Sequence, residues 1–195
     1  MIAIVKYNAG NIRSVENALK RLGVDCVISD DPEVLSKAEK LILPGVGEAS
    51  SAMAYLRERG LDQVIKERIK PTLGICLGLQ LFCARSEEGN TECLGIFPEA
   101  VKRFPPKEKV PHMGWNELTA LKGPLFEGVQ ANSDVYFVHS FYAESGPDTV
   151  AACDYILPFS AALSKGNFYA TQFHPEKSAD VGEQILANFL KLPAV

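Results

Sequence analysis

The 195-residue sequence has no apolar run near the roughly 18 residues a membrane-spanning helix needs, so nothing in it proposes a transmembrane segment. It also has no C-x-x-C pair. Its five cysteines, Cys26, Cys76, Cys83, Cys93 and Cys153, are an odd and scattered set, which argues against a disulfide framework and a structural zinc site. Reduced thiols are the expectation. Excess basic charge is absent too: 20 Lys and Arg stand against 24 Asp and Glu, for a formal net charge of -4. That balance leaves no electrostatic footprint for nucleic acid or an anionic membrane. A P-loop, a metal-ligand cluster, an internal repeat and a low-complexity stretch are all missing, so neither a cofactor nor a metal is expected. The opening Met1-Ile-Ala-Ile-Val5 is too short for a signal peptide and lacks its flanks, so it reads as a buried strand and the expected location is cytoplasmic.

What is present is ordinary for a globular protein. Apolar content is 47% and charged content 23%, enough to bury one core, and no linker divides the chain. A single domain over 1–195 is expected. The first half alternates strand and helix: Ile2 to Val5, a helix from Asn11 ending at Gly23, strands at Val24 to Ile28 and Leu41 to Leu43, a helical stretch opened by Pro44 to Gly47 and running to about Arg59, and a further helix from Leu61 to Ile69. This rhythm implies parallel strands with helices on both faces. The second half has short strand candidates between Pro and Gly: Ala100 to Phe104, Trp115 to Leu118, Val135 to His139, Val150 to Cys153, Ala161 to Leu163 and Phe168 to Phe173. A helix over about Ala179 to Leu192 closes the pattern. The expected class is α/β, a mixed, mostly parallel sheet flanked by helices, with its site at the carboxyl ends of the parallel strands.

One junction stands out. A strand-like run from Ile69 to Ile75 leads straight into Cys76-Leu77-Gly78-Leu79-Gln80, which reads as the start of a helix. This is a nucleophile elbow with sulfur in place of a hydroxyl: a strained turn exposes one thiol, and the flanking glycines, Gly74 and Gly78, relieve clashes. Unpaired NH groups at the helix N-terminus favour the thiolate. A lone cysteine in an apolar run is more often packing, so a base elsewhere must support the reading.

Near the end, Phe168 to Phe173 runs into His174-Pro175-Glu176. A cysteine hydrolase needs an imidazole to take and return a proton and a carboxylate to hold its tautomer, and His174 and Glu176 supply both. Taken alone, the segment reads more readily as a strand exit with a capping carboxylate; with the cysteine elbow, the catalytic reading prevails. Attack by sulfur also needs oxyanion donors. One is the NH of Leu77; the other is expected from Pro44-Gly45-Val46-Gly47, whose two glycines permit a backbone flip.

Together GICLGLQ (74 to 80), HPEKS (174 to 178) and PGVG (44 to 47) resemble the triad-type class I glutamine amidotransferases. YNAGNIRSVENALKRLG (7 to 23), SEEG (86 to 89), VPHMGWN (110 to 116), YFVHSFY (136 to 142) and GNFYATQFHPEKS (166 to 178) narrow the resemblance to the glutaminase subunits of imidazole glycerol phosphate synthase, over nearly the whole chain. The resemblance implies that Cys76 attacks glutamine, His174 protonates the departing ammonia and Glu176 orients His174. It implies oxyanion contacts at Val46 and Leu77, and substrate contacts at Gly47, Gln80, Ser140 and Phe141. It also implies a cyclase subunit as heterodimer partner, to which ammonia is delivered for histidine biosynthesis. Two departures from the family pattern are Lys6 and Asn8 in the first loop, and Phe141 where a Tyr is common. His112 and His139 read as structural or partner-facing, Trp115 as core or interface packing, and Glu87-Glu88 as a solvated loop. A free-standing hydrolase of γ-glutamyl amides and a catalytically silent binding module remain open alternatives.

Overall fold

The computed structural model describes residues 1–193. Its first half is β1 (Ile2–Val5), α1 (Ile12–Arg21), β2 (Cys26–Ser29), α2 (Pro32–Lys37), β3 (Lys40–Leu43), α3 (Ala49–Glu58), α4 (Leu61–Lys66), β4 (Thr72–Ile75) and α5 (Leu77–Phe82). The second half holds β5 (Arg85–Ser86), β6 (Thr91–Glu92), β7 (Ala100–Arg103), β8 (His112–Glu117), β9 (Asp134–His139), β10 (Phe141–Ala143), β11 (Thr149–Tyr155), β12 (Leu157–Lys165), β13 (Phe168–Thr171) and α6 (Ala179–Lys191).

The main sheet runs β2-β1-β3-β4-β13-β12-β10-β7-β5-β6, with β11 also on β12. From β2 to β13 all neighbours are parallel; β12, β11 and β10 extend the sheet antiparallel. Strand residues alternate between two buried faces. Ala3, Val5, Leu41 and Leu43 join a core with the helices of one face, including Leu35, Met53, Leu56 and Phe82. Ile4, Ile42, Leu73 and Ile75 join the other, with Leu19, Phe173, Leu186 and Phe189. Among the described residues, no helix is long and apolar enough to cross a membrane.

Several elements differ from the sequence expectation. The segment Pro44 to Gly47 is a loop rather than a helix start: α3 begins at Ala49, because Glu48 caps it by accepting from the NH groups of Ser50 (3.1 Å) and Ser51 (2.9 Å). Strand β4 starts at Thr72, since Ile69 is exposed and α4 ends at Lys66. A short helix, α2, follows Asp31, which caps it through Glu33; its six residues carry too little periodicity to announce it. Ala161 to Leu163 is the middle of the nine-residue β12. Strands β8 and β9 leave the main sheet and form a separate antiparallel pair. On β8, Trp115 and Met113 are more than half exposed, so Trp115 is not a core residue of this chain.

Candidate active site

Register brings the site together. β4 and β13 are parallel neighbours with Ile75 opposite Thr171, and the Cys76 NH extends that ladder by donating to the Thr171 carbonyl at 2.7 Å. The residue after one strand, Cys76, therefore lies beside the residues after the other, Gln172 to Glu176. Cys76 turns sharply into α5 with φ 53° and ψ −103°, a conformation an L-residue holds only under constraint. The constraint is close packing of strand against helix. A Cβ on Gly78 would run into the carbonyl oxygen of Leu43, and one on Gly74 would meet the Gly78 backbone at 2.7 Å.

His174 is fully buried. Its backbone is clamped on β9: its NH donates to Tyr136 O at 2.9 Å, while Ser178 Oγ donates to His174 O at 2.6 Å and accepts the Tyr136 NH at 3.0 Å. Its Nδ1 lies 2.7 Å from Glu176 Oε1, so Nδ1–H donates to the carboxylate and leaves Nε2 for the sulfur. Nε2 has no hydrogen-bond partner among the described residues. Burial works to lower the His174 pKa, but the neighbouring Cys76 and then Glu176 outweigh it and raise the pKa to about 10. The imidazole is thus set to hold a proton beside the Cys76 sulfur.

The expected oxyanion and substrate residues meet in one cleft of about 170 Å³, lined by Val46, Gly47, Cys76, Leu77, Gln80, Ser140 and Phe141, together with Glu88, Val138 and His139. His174 and Glu176 do not line it; they stand behind the sulfur. The Leu77 NH is already engaged, donating to Gly45 O at 3.2 Å, while the Gly10 NH donates to Val46 O at 3.0 Å. In this arrangement the Gly45–Val46 peptide turns a carbonyl toward the Leu77 donor. The buried Tyr7 hydroxyl braces the same loop by donating to Pro44 O.

The departures in the first loop fall away from the cleft. Lys6 and Asn8 are exposed, and Asn8 Nδ2 donates to Ser51 O at 3.2 Å. Phe141 makes these contacts with its backbone: its carbonyl accepts from Gln80 Nε2 at 3.0 Å and from His139 Nδ1 at 2.7 Å, so its missing hydroxyl leaves them unchanged. His112 and His139 are buried against each other, which fits a structural role. Glu87-Glu88 is not a free solvated loop. Glu88 Oε2 accepts the Ala49 NH at 2.8 Å and faces the cleft, and Glu87 Oε2 accepts the Arg103 NH at 2.8 Å.

Sequence reasoning missed two residues. Asn11 donates through Nδ2 to Glu176 Oε1, bracing the carboxylate from α1. Gln172, fully buried, directs its Nε2 at Cys76 Sγ, 3.6 Å away. The signal for Gln172 was a lone amide inside an otherwise apolar strand exit; Asn11 offered none without knowledge of which helix lies above β13.

Comparison with known proteins bears on the family and the fold. Residues 3–192 match the family model described as glutamine amidotransferase class-I. Over 194 residues the chain is 61% identical to an "Imidazole glycerol phosphate synthase subunit HisH" of Bacteroides fragilis (strain YCH46), covering 98% of this chain and 99% of that one. A protein of the same description from Vibrio parahaemolyticus is 45% identical over 199 residues, covering 98% of each chain. Among solved structures, one described as a glutamine amidotransferase superposes with a TM-score of 0.76 at 21% identity, covering 98% of each chain. PurLQS from Thermotoga maritima superposes with a TM-score of 0.74 at 18% identity, covering 97% of this chain and 96% of that one.

Proposed function

The chain belongs to the class I glutamine amidotransferases, as a glutamine amidotransferase subunit of imidazole glycerol phosphate synthase in histidine biosynthesis, and from that premise we propose how its residues perform the reaction. Cys76 attacks the side-chain amide carbon of glutamine. The carbonyl oxygen becomes an oxyanion, held by the NH groups of Leu77 and Val46. His174 gives its proton to the departing nitrogen, ammonia leaves, and a glutamyl thioester remains on Cys76. Water, deprotonated by His174, then releases glutamate. Glu176 fixes the His174 tautomer throughout. Gly47, Gln80 and the backbone at Ser140 and Phe141 hold the substrate. The observation that carries this reading is the convergence of Cys76, His174 and Glu176 at the adjoining ends of β4 and β13.

The partner is the cyclase subunit, bound as a heterodimer in the cytoplasm. Ammonia passes through its barrel to a phosphoribulosyl formimino nucleotide, giving imidazole glycerol phosphate and an aminoimidazole carboxamide ribotide. The chain alone is nearly idle. What supports this is the Gly45 carbonyl on the Leu77 NH, which denies the oxyanion one donor and turns the Val46 NH away. A flip of the Gly45–Val46 peptide on docking frees the first donor and supplies the second, and each donor is worth about 10² to 10³ in turnover.

Glutamate release by the purified chain, with and without the cyclase subunit and its nucleotide substrate, tests both claims, with Cys76→Ala as control. Near-silence alone, strong stimulation by the loaded partner and no release by the control are expected. Vigorous release alone, unchanged by the partner, would indicate an independent γ-glutamyl hydrolase, and release by the control would remove Cys76 as nucleophile.

A further inference from the structure

The sulfur of Cys76 has a side-chain amide donor within reach. Gln172 Nε2 lies 3.6 Å from Cys76 Sγ, within reach of a hydrogen bond to sulfur. Which end of that buried amide faces the sulfur is fixed by a chain of partners. The Phe141 carbonyl can only accept, so the Gln80 atom 3.0 Å from it is the amide nitrogen. The second hydrogen of that nitrogen meets Gln172 at 3.1 Å, so the Gln172 atom facing it is the oxygen. Gln172 is left presenting NH₂ to Cys76.

The same logic runs outward from the Phe141 carbonyl. It accepts the Nδ1–H of His139, so the neutral His139 ring offers Nε2 as acceptor to His112 Nδ1–H at 3.0 Å. His112 Nε2 accepts in turn from Asn116 Nδ2 at 3.2 Å. The hydrogen bonds from Asn116 through His112 and His139, and from Gln80, thus end on the Phe141 carbonyl, which can only accept, while Gln80 donates onward to Gln172 and Gln172 to the Cys76 sulfur.

We propose that Gln172 is a further catalytic residue, the donor that stabilises and aims the Cys76 thiolate, and that Gln80 and the Phe141 carbonyl lock its orientation. The proposal rests on Cys76 being the nucleophile. A protonated Cys76 has a different partner: the other hydrogen-bond contact of its sulfur among the described residues is the Val138 carbonyl at 3.9 Å, which can accept S–H but repels S⁻. Gln172 works in the opposite sense. It gains a charge-assisted bond when the thiol proton has moved to His174 and loses most of it when the proton returns. No proton passes through Gln172 itself.

The test is the rate at which iodoacetamide alkylates Cys76 in the full-length chain, followed by peptide mass across a pH series. Gln172→Met keeps the side chain's length without a donor, and Gln172→Glu replaces the donor by a carboxylate. Loss of a charge-assisted bond predicts alkylation about tenfold slower at pH 7 for Gln172→Met, with the rate profile displaced toward higher pH, and a larger loss for Gln172→Glu. In the complex, kcat falls while KM stays within about twofold, because Gln172 touches sulfur and not the substrate. A charge placed in a buried site can unfold the chain, so the Met variant decides. Gln172→Met alkylated at the wild-type rate with an unmoved profile, while Cys76→Ala remains inactive, would overturn this inference and leave the proposed function standing. A wild-type Cys76 that resists alkylation would instead remove the nucleophile and this inference together.

Discussion

Glu176 Oε1 is shared by two donors, His174 Nδ1 and Asn11 Nδ2, which together hold the carboxylate beside the imidazole. Asn11 stands at the start of α1 with φ 76°, a left-handed conformation that Asn tolerates better than most residues. Replacing Asn11 with Ala leaves the His174–Glu176 bond but frees the carboxylate to rotate. The expected result is a fall of about tenfold in kcat of the complex with KM little changed, on the scale of one lost hydrogen bond to a charged group. Glu176→Gln removes the charge that holds the tautomer and should lower kcat by about 10² to 10⁴. Equal, small losses for the two variants in steady-state glutaminase assays would show that the carboxylate does not orient the base.

At the scale of elements, the strand-to-helix junction depends on contact too close for any side chain. Gly78 sits where a Cβ would strike the Leu43 carbonyl of the neighbouring β3, so Gly78→Ala must push α5 off the sheet. A destabilisation of about 3 kcal/mol or more is expected, together with loss of the Cys76 geometry, read by chemical denaturation and by alkylation. Gly95 provides the control: a Cβ there would meet nothing within 4 Å, but its φ of 68° is positive. Gly95→Ala therefore costs only backbone strain, about 1 kcal/mol. This local dependence is why the elbow was legible in the sequence. Its chemistry is written in a few consecutive residues, Gly74 to Gly78, and that of the base in His174-Pro175-Glu176. Gln172 and Asn11 act through pairing across 96 and 165 positions of chain, which periodicity does not encode. The boundaries of α3 and β4 escape the sequence pattern for a related reason, since Glu48 capping and the exposure of Ile69 depend on neighbours that only the folded sheet supplies.

Over the whole molecule, the three histidines respond to acid in two ways. Burial lowers His112 to about 4 and His139 to about 3, the latter opposed by its bond to the Phe141 carbonyl and reinforced by the neighbouring histidines. Between pH 6.5 and about 4 the unfolded chain binds protons at both that the folded chain refuses. Stability from these two is complete above about pH 6.5 and is lost as pH falls, by at most about 1.4 kcal/mol per unit from each. His174, raised from 6.5 to about 10, has the opposite sign: it is protonated in both states below pH 6.5, and its contribution is lost as pH rises through the folded value. Urea unfolding at about pH 7 and about pH 5 should show a loss that is clearly smaller in His112→Gln. An identical loss in variant and wild type would refute this linkage.

The antiparallel strands β10 to β12 and the separate β8–β9 pair complete the molecule around the parallel half that carries Cys76 and His174. This division matches the sequence, where regular β-α alternation gives way to short strands, although nothing in those strands announced that β8 and β9 would leave the main sheet. Everything proposed for the site turns on one covalent step, the opening of glutamine by Cys76. That step is read from the mass of the Cys76 peptide after the complex is mixed with glutamine and quenched in acid within one turnover. One added glutamyl group on Cys76, absent in Cys76→Ala and accumulating when the His174-dependent hydrolysis is slowed, is the expected result. Ammonia released at full rate with no glutamyl group ever found on Cys76 would overturn the covalent mechanism.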